Sequence, residues 1–454
     1  MRFIPNNDPV RQSMLAEIGR ERMEDLFASI PRQALLGRPL DIPPGMAEED
    51  QLALFAALAA KNSGSDCLSF LGGGSYSHTI PLVADSLLQR GEFLTAYTPY
   101  QPEVSQGTLQ AIFEFQTFMA ILTGMDVANA SVYDGASAAA EAVLMADRLQ
   151  RGRSRVILAA SLHPYYRQVI RTYTKNLGLV LEDAPLHPET GRMDEQALAK
   201  TLDGDVACVV VQQPNFFGVI EDLEALGAKA KGAGALLVTV VAEALSMALL
   251  KPPGQCGADI VAGEAQSFGV PQFYGGPYLG FMATRDEHKR QLPGRIAGET
   301  VDLEGRRGYV LTLATREQHI RREKATSNIC TNENLVMLYA LIYLTLMGRE
   351  GLKTVAESNV SLMAYFLERV AELPGYEVRY SGPRFNEVAL RCPRTAREIA
   401  ASCQERRVLP GIDLGRFDAA HADCLLVAVT ETKDKAGIDA LVDALQEAAG
   451  EAAP

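Results

Sequence analysis

A chain of 454 residues and 49.1 kDa, 47% hydrophobic and 22% charged, has the make-up of an ordinary globular protein and exceeds the length at which a single core stops growing, so two lobes are expected. Its net charge of −13 argues against nonspecific adhesion to nucleic acid or anionic lipid, which attract cationic surfaces, and leaves small molecules and proteins as partners. Seven cysteines, scattered and without a C-x-x-C pair, argue against a zinc site and point to reduced thiols in the cytoplasm.

The opening Met1-Arg2-Phe3-Ile4-Pro5-Asn6-Asn7-Asp8 lacks the charged-then-apolar pattern of a secretory signal, so the chain is expected to stay inside the cell. Residues 1–60 read as helical pieces broken by Pro39, Pro43, Pro44 and Gly45, with 46–61 strongly helix-favouring: an N-terminal helical extension wrapping a larger body. Across 61–330, aliphatic runs at 154–160, 206–211 and 235–241 alternate with helical stretches. That is the pattern of an α/β domain with a mostly parallel sheet covered on both faces. The run from Leu335 to Met347 falls short of the roughly 20 residues that cross a bilayer and reads as a buried helix behind a capping-like Thr331-Asn332-Glu333. With strands at 387–390 and 424–429 and helices at 395–406 and 434–448, residues 331–454 form a smaller C-terminal α+β domain.

Three segments sit where an open sheet collects ligands. Tyr133-Asp134-Gly135-Ala136-Ser137 opens an Ala-rich helix, and free amides at a helix start make a phosphate or carboxylate seat; a tight strand-to-helix turn explains the same residues equally well. Gln212-Gln213-Pro214-Asn215-Phe216-Phe217-Gly218 follows the second strand directly, placing polar amides and an exposed Phe pair at a strand end, although a structural turn accounts for its Pro and Gly. Asp259-Ile260-Val261 feeds Gly263-Glu264-Ala265-Gln266-Ser267-Phe268-Gly269 and the glycine-rich loop 275–280, which brings backbone close to whatever the loop surrounds.

Together with Phe70-Leu71-Gly72-Gly73-Gly74-Ser75-Tyr76, Ala96-Tyr97-Thr98-Pro99-Tyr100-Gln101-Pro102-Glu103-Val104-Ser105-Gln106-Gly107 and Arg322-Glu323-Lys324-Ala325-Thr326-Ser327-Asn328, these segments resemble the fold-type I pyridoxal-phosphate enzymes. From the N-terminus to about residue 448 the chain resembles the P protein of the glycine cleavage system, glycine decarboxylase, in particular the first subunit of the form split into two chains. By that resemblance the Schiff-base lysine of a catalytic half falls on Gln266, whose amide is too weak a nucleophile to form an imine. The aspartate that would protonate the pyridine nitrogen falls near Val240, which cannot. His163 falls where a cofactor-stacking residue would lie and reads here as a satisfied buried histidine.

The resemblance therefore implies no catalytic residue, cofactor or metal held by this chain alone. Pyridoxal phosphate would sit in a second P-protein chain, in a heterodimer or a pair of heterodimers, which decarboxylates glycine and passes the aminomethyl group to the lipoyl group of the H protein. Tyr97, Thr98, Tyr100, Gln101, Glu103 and Ser105 would line that partner's cleft, with a polar loop that merely supports the subunit contact as the competing reading. Between 285 and 324 ten Lys/Arg face seven Asp/Glu, an excess of +3. Arg295, Arg306, Arg307, Arg316, His319, Arg321, Arg322 and Lys324 would steer a carboxylate, a phosphate or an acidic carrier, unless they form only a solvated face. Two rival readings stay open: a self-sufficient pyridoxal enzyme using Lys251 or Lys324, and a noncatalytic binding or regulatory protein of the same fold.

Overall fold

The computed structural model describes residues 6–95 and 97–450. The chain divides into two compact units, Met1–Ser65 and Asp66–Pro454. In the first, α1 (Asp8–Glu17) is started by Asn7, whose side chain accepts a hydrogen bond from Val10 N, and by Pro9 in its first turn. The second helix, α2 (Glu48–Ala59), opens on Glu48, Glu49 and Asp50, the sign a helix N-terminus favours. Among the described residues of this unit only Leu15 is buried.

In the second unit β1 (Leu68–Ser69), α3 (Leu82–Leu88) and α4 (Gln106–Thr123) lead into a seven-stranded sheet. Its strands are β2 (Val127–Ala128), β3 (Arg155–Ala159), β4 (Val180–Ala184), β5 (Val206–Gln212), β6 (Leu236–Val241), β7 (Ile260–Glu264) and β8 (Gly280–Thr284), in the order β2-β8-β7-β6-β5-β3-β4. β4, β3, β5, β6 and β7 run parallel, and β8 lies antiparallel between β7 and β2. Helices α5 (Gly135–Leu149), α6 (Pro164–Thr174), α7 (Glu195–Thr201) and α8 (Leu223–Gly232) alternate with these strands; α6 joins the parallel neighbours β3 and β4, and α8 joins β5 and β6. Every residue of β5 and β6 is buried, as continuous Val/Leu runs demand in a sheet covered on both sides. Val240, near the expected aspartate position, is one of these core residues, paired with Gln212 and Ala262.

A hairpin of β9 (Ala297–Val301) and β10 (Arg307–Leu311) and the short α9 (Gln318–Arg321) precede α10 (Asn334–Val370). By length and composition α10 could cross a membrane, but Gly348 breaks it at φ 57° and ψ −170°, and its apolar first half is core: Val336, Met337, Ala340, Leu341 and Leu344 are buried. The helix start differs from the capping-like reading of 331–333. The Ncap position is Glu333, which makes no side-chain cap, and Asn332 and Asn334 instead hydrogen-bond each other, with Asn332 Oδ1 accepting from Thr98 Oγ1.

The chain ends in β11 (Glu377–Val378), β12 (Glu387–Arg391), α11 (Ala396–Glu405), β13 (Val408–Leu409), β14 (Ile412–Asp413), β15 (Cys424–Ala428) and α12 (Lys435–Gly450). An antiparallel sheet in the order β11-β12-β15-β14 shares a core with α11, α12 and the second half of α10, and β13 pairs in parallel with β1. A Thr395/Glu398 capping box starts α11.

Candidate functional site

The carboxyl ends of β3, β5, β6 and β7 and the first turn of α5 meet at one edge of the large sheet, where an open α/β sheet binds its ligand. Here the protein has filled that place with itself. Asp134 caps α5 by accepting from Ser137 N at 2.7 Å, while the buried Glu264 at the end of β7 accepts from Gly135 N at 3.0 Å, Leu279 N at 2.8 Å and Gln266 N at 3.1 Å. Burial drives the Glu264 carboxyl up to about 7 against the pull of those backbone donors. Position 135 tolerates only glycine, because a Cβ there would come 2.3 Å from Tyr166 Oη and 2.8 Å from Glu264 Cβ.

Gln266, two residues on, is 2% exposed and saturated: Oε1 accepts from Tyr76 N at 2.9 Å, and Nε2 donates to Tyr76 O at 3.0 Å and Val270 O at 2.7 Å. An amide can both donate to and accept from one backbone residue, and an ammonium group cannot accept at all. His163 caps α6, accepting from Tyr165 N at Nδ1 (3.1 Å) and donating from Nε2 to Gly73 O (2.8 Å), a neutral tautomer consistent with burial pulling its pKa down to about 4. One face of its ring is stacked by Tyr166 at 4.9 Å and Phe216 meets it edge-on at 4.9 Å. It is a satisfied buried histidine.

The turn Phe70–Tyr76 is the hub of these contacts. Glu387 in β12 accepts from Gly73 N and Tyr76 Oη, both at 2.7 Å, and burial raises its carboxyl to about 7. A Cβ at Gly73, where φ is +68°, would lie 2.6 Å from Ile412. Just beyond, His78 donates to Glu243 at 3.2 Å and Glu431 at 2.9 Å. Burial alone would lower the His78 pKa, but the two carboxylates outweigh it and hold it at about 9. Replacing Tyr76 by Phe should cost about 1–3 kcal/mol, the penalty for leaving a buried carboxylate short of a donor, and a urea midpoint matching wild type would show the bond to be dispensable.

The Phe216-Phe217 pair corrects the sequence expectation of exposed rings. Both are buried, packed against Phe417, Tyr380 and His421, because β14, β15 and their neighbouring turns close over this strand end. Gln212 Oε1 accepts from His163 N and Gln213 Oε1 from Glu221 N, so the amides of this motif point to backbone rather than to a ligand.

The segment 97–105 stands apart from that filled edge, and Ala96 lies outside the described residues. Thr98 is buried against Thr331 and Asn332, Arg295 donates to Tyr100 Oη, and Gln106 clamps Tyr309 by accepting from its N and donating to its O. Arg295 is itself buried and paired with Glu317 at 3.0 Å. Tyr97, Tyr100, Gln101 and Glu103 remain exposed on this braced loop and Ser105 is half-buried at the start of α4. The basic residues divide. Arg316 is buried on the carbonyls of Leu292, Leu313 and Gly294, His319 turns edge-on to Tyr100 at 5.5 Å, and Arg321, Arg322 and Lys324 are exposed.

The model of one protein family, "Glycine cleavage system P-protein", matches residues 1–445. The chain belongs to this P-protein family. Its relatives include "Probable glycine dehydrogenase (decarboxylating) subunit 1" of Thermomicrobium roseum, 50% identical over 449 residues covering 99% of this chain and 100% of the relative. A protein of the same name from Rhodospirillum centenum is 49% identical over 452 residues, 98% of this chain and 99% of its own. Among solved structures, an inhibitor-bound crystal structure of "glycine decarboxylase (P-protein) of the glycine cleavage system" superposes with a TM-score of 0.89 at 43% identity, covering 99% of this chain and 100% of that one. Glutamate decarboxylase of Lactobacillus brevis, with a TM-score of 0.69 at 11% identity over 93% of this chain and 97% of its own, shares the fold alone. The large domain has the fold of the fold-type I pyridoxal-phosphate enzymes.

The residues of this P-protein chain do not fit a pyridoxal phosphate. The first amide of α5 and the amide of Ser137, which would meet its phosphate, already serve Glu264 and Asp134, two acidic side chains that repel a dianion. The space over His163 holds the ring of Tyr166, and Gln266 offers no nucleophile. Of the two alternative lysines, Lys251 is tied to Glu224 on the surface and Lys324 is exposed beyond α9.

Proposed function

We propose that this chain is the first subunit of a two-chain glycine decarboxylase of the glycine cleavage system, an oxidoreductase subunit inactive alone. A second P-protein chain holds pyridoxal phosphate, decarboxylates glycine and passes the aminomethyl group to the lipoyl group of the H protein. The observation that carries this reading is the self-filled cofactor seat, Glu264 on Gly135 N and Gln266 on Tyr76, in a chain that keeps the family's fold throughout. An intact fold without its own cofactor seat is what a cleft-closing partner needs.

In the assembled pair the braced loop 97–105 lines the second chain's cleft, with Tyr97, Tyr100, Gln101, Glu103 and Ser105 facing glycine or the lipoyl arm and Thr98, bonded to Asn332, holding the loop in place. Leu52 and Phe55, each 66% exposed, give α2 an apolar face suited to a subunit contact. Seven cysteines without a disulfide accord with a reducing, cytoplasmic address.

The test is glycine-dependent exchange of carbon dioxide, measured for each purified chain and for the mixture. Activity is expected only in the mixture, and activity of this chain alone would overturn the reading. Tyr97→Ala or Glu103→Gln should lower exchange in the mixture by about 10- to 100-fold, the equivalent of roughly 1–3 kcal/mol for a lost polar contact, while leaving the melting temperature of the free chain unchanged. Wild-type exchange in both variants would reduce the loop to a support.

A further inference from the structure

A cavity of about 310 Å³ lies at the far end of α5 from the filled cofactor seat. It is lined by Arg148, Arg151, Arg290, Arg316, Arg321 and Lys324, with no Asp or Glu among its lining residues. Arg148 sits 13 residues beyond Gly135, which at 1.5 Å per residue puts the cavity about 20 Å from the edge where the large sheet would bind a cofactor. It is a different place.

Among the described residues none of the six cations forms an ion pair with a carboxylate, although they converge on one cavity. Glu141 and Asp147 act on Arg148 from its own helix, but neither lines the cavity. Arg316 is spent on the carbonyls of Leu292, Leu313 and Gly294, and Arg148 donates to Gln291 O at 3.1 Å, so these two form a structured floor. Arg151, Arg290, Arg321 and Lys324 are exposed around it.

The helix macrodipole accounts for Arg148 in the last turn of α5 and favours Arg151 just beyond its C-cap. It does not account for Arg290, Arg321 and Lys324, which arrive from two other segments and raise the mutual repulsion. Clustered guanidinium groups match the oxygens of phosphate in bidentate geometry, and a concave cavity of this size suits a small molecule better than the flat face of a protein.

We infer that this cavity binds a small phosphate-bearing polyanion at a site separate from the filled sheet edge at Gly135. The inference is independent of the proposed subunit role. The polyanion replaces the missing carboxylate partners of four exposed cations, so its affinity falls with salt and with removal of any of them.

The experiment is calorimetric titration of the full chain with inorganic pyrophosphate at constant ionic strength, repeated with citrate. One saturable site for pyrophosphate is expected, with Kd raised at least about tenfold in an Arg151→Ala/Lys324→Ala double variant. An Arg306→Ala/Arg307→Ala double variant, basic residues outside the cavity, should bind like wild type. Both pairs are exposed, so circular dichroism should show all proteins folded alike. Heat that does not saturate, or equal weakening in both double variants, would overturn the site; tighter binding of citrate than of pyrophosphate would overturn the phosphate assignment.

Discussion

Placing a lysine at position 266 should not create a cofactor site. In a Gln266→Lys variant incubated with excess pyridoxal phosphate and reduced with borohydride, mass mapping is expected to find no pyridoxyl group at residue 266, because the surrounding groups still occupy the space and the amides. Glu264 still takes Gly135 N, Asp134 still takes Ser137 N, and Tyr166 still covers His163. The substitution should also destabilise the chain by about 1–3 kcal/mol, since an ammonium group cannot accept from the buried Tyr76 N–H that Gln266 Oε1 now satisfies. The urea midpoint at constant m-value reads that loss. Specific labelling of the new lysine in the single variant would mean that Glu264 and Tyr166 yield to a phosphate, and the subunit reading would lose its main support.

The second large effect belongs to His78. Removing it in a His78→Leu variant strands Glu243 and Glu431 in the interior without their cation, a change that costs about 3–5 kcal/mol when one partner of a buried pair is deleted. The loss should depend on pH. The folded-state pKa of His78 is raised from 6.5 to about 9, so its stabilisation is fully present below about pH 6.5 and disappears as pH rises through about 9. Glu431 works in the opposite sense: despite its burial, the bond and charge of His78 hold its pKa below 4.5, and its contribution is lost as pH falls through that lowered value. Wild type should therefore exceed the variant by most near pH 6, by less at pH 8, and by little at pH 10. A difference that does not change between pH 6 and 10 would show that His78 acts by packing and not by charge.

Much of this architecture was readable in the chain because its signals are local. Val209–Val211 and Leu236–Val238 are unbroken aliphatic runs that suit strands covered on both faces, and the helix read over 395–406 is α11, Ala396–Glu405. The absence of a nucleophile at Gln266 was legible as well. What Gln266 does instead was not, because its partner Tyr76 lies 190 residues away in the sequence. The Phe216-Phe217 pair misled for a similar reason: Pro and Gly beside a strand end look like an exposed turn, and the rings that cover it, Phe417 and Tyr380, come from the C-terminal sheet and its turns. His78 gave no local sign of its two carboxylates, which are brought to it from residues 243 and 431. Arg316 belonged to a basic run by composition, yet it turns inward to carbonyls while Arg148, Arg151 and Arg290 join Arg321 and Lys324 around one cavity.

By itself the sequence determined the fold class and the family motifs, because hydrophobic period, glycine placement and side-chain chemistry are properties of short segments. The tertiary structure alone decided that Glu264, Tyr166 and Gln266 fill the sheet edge and that six cations line one cavity. Both depend on hydrogen bonds and charges between residues far apart in the chain, whose distances exist only once the sheet and its crossovers have formed.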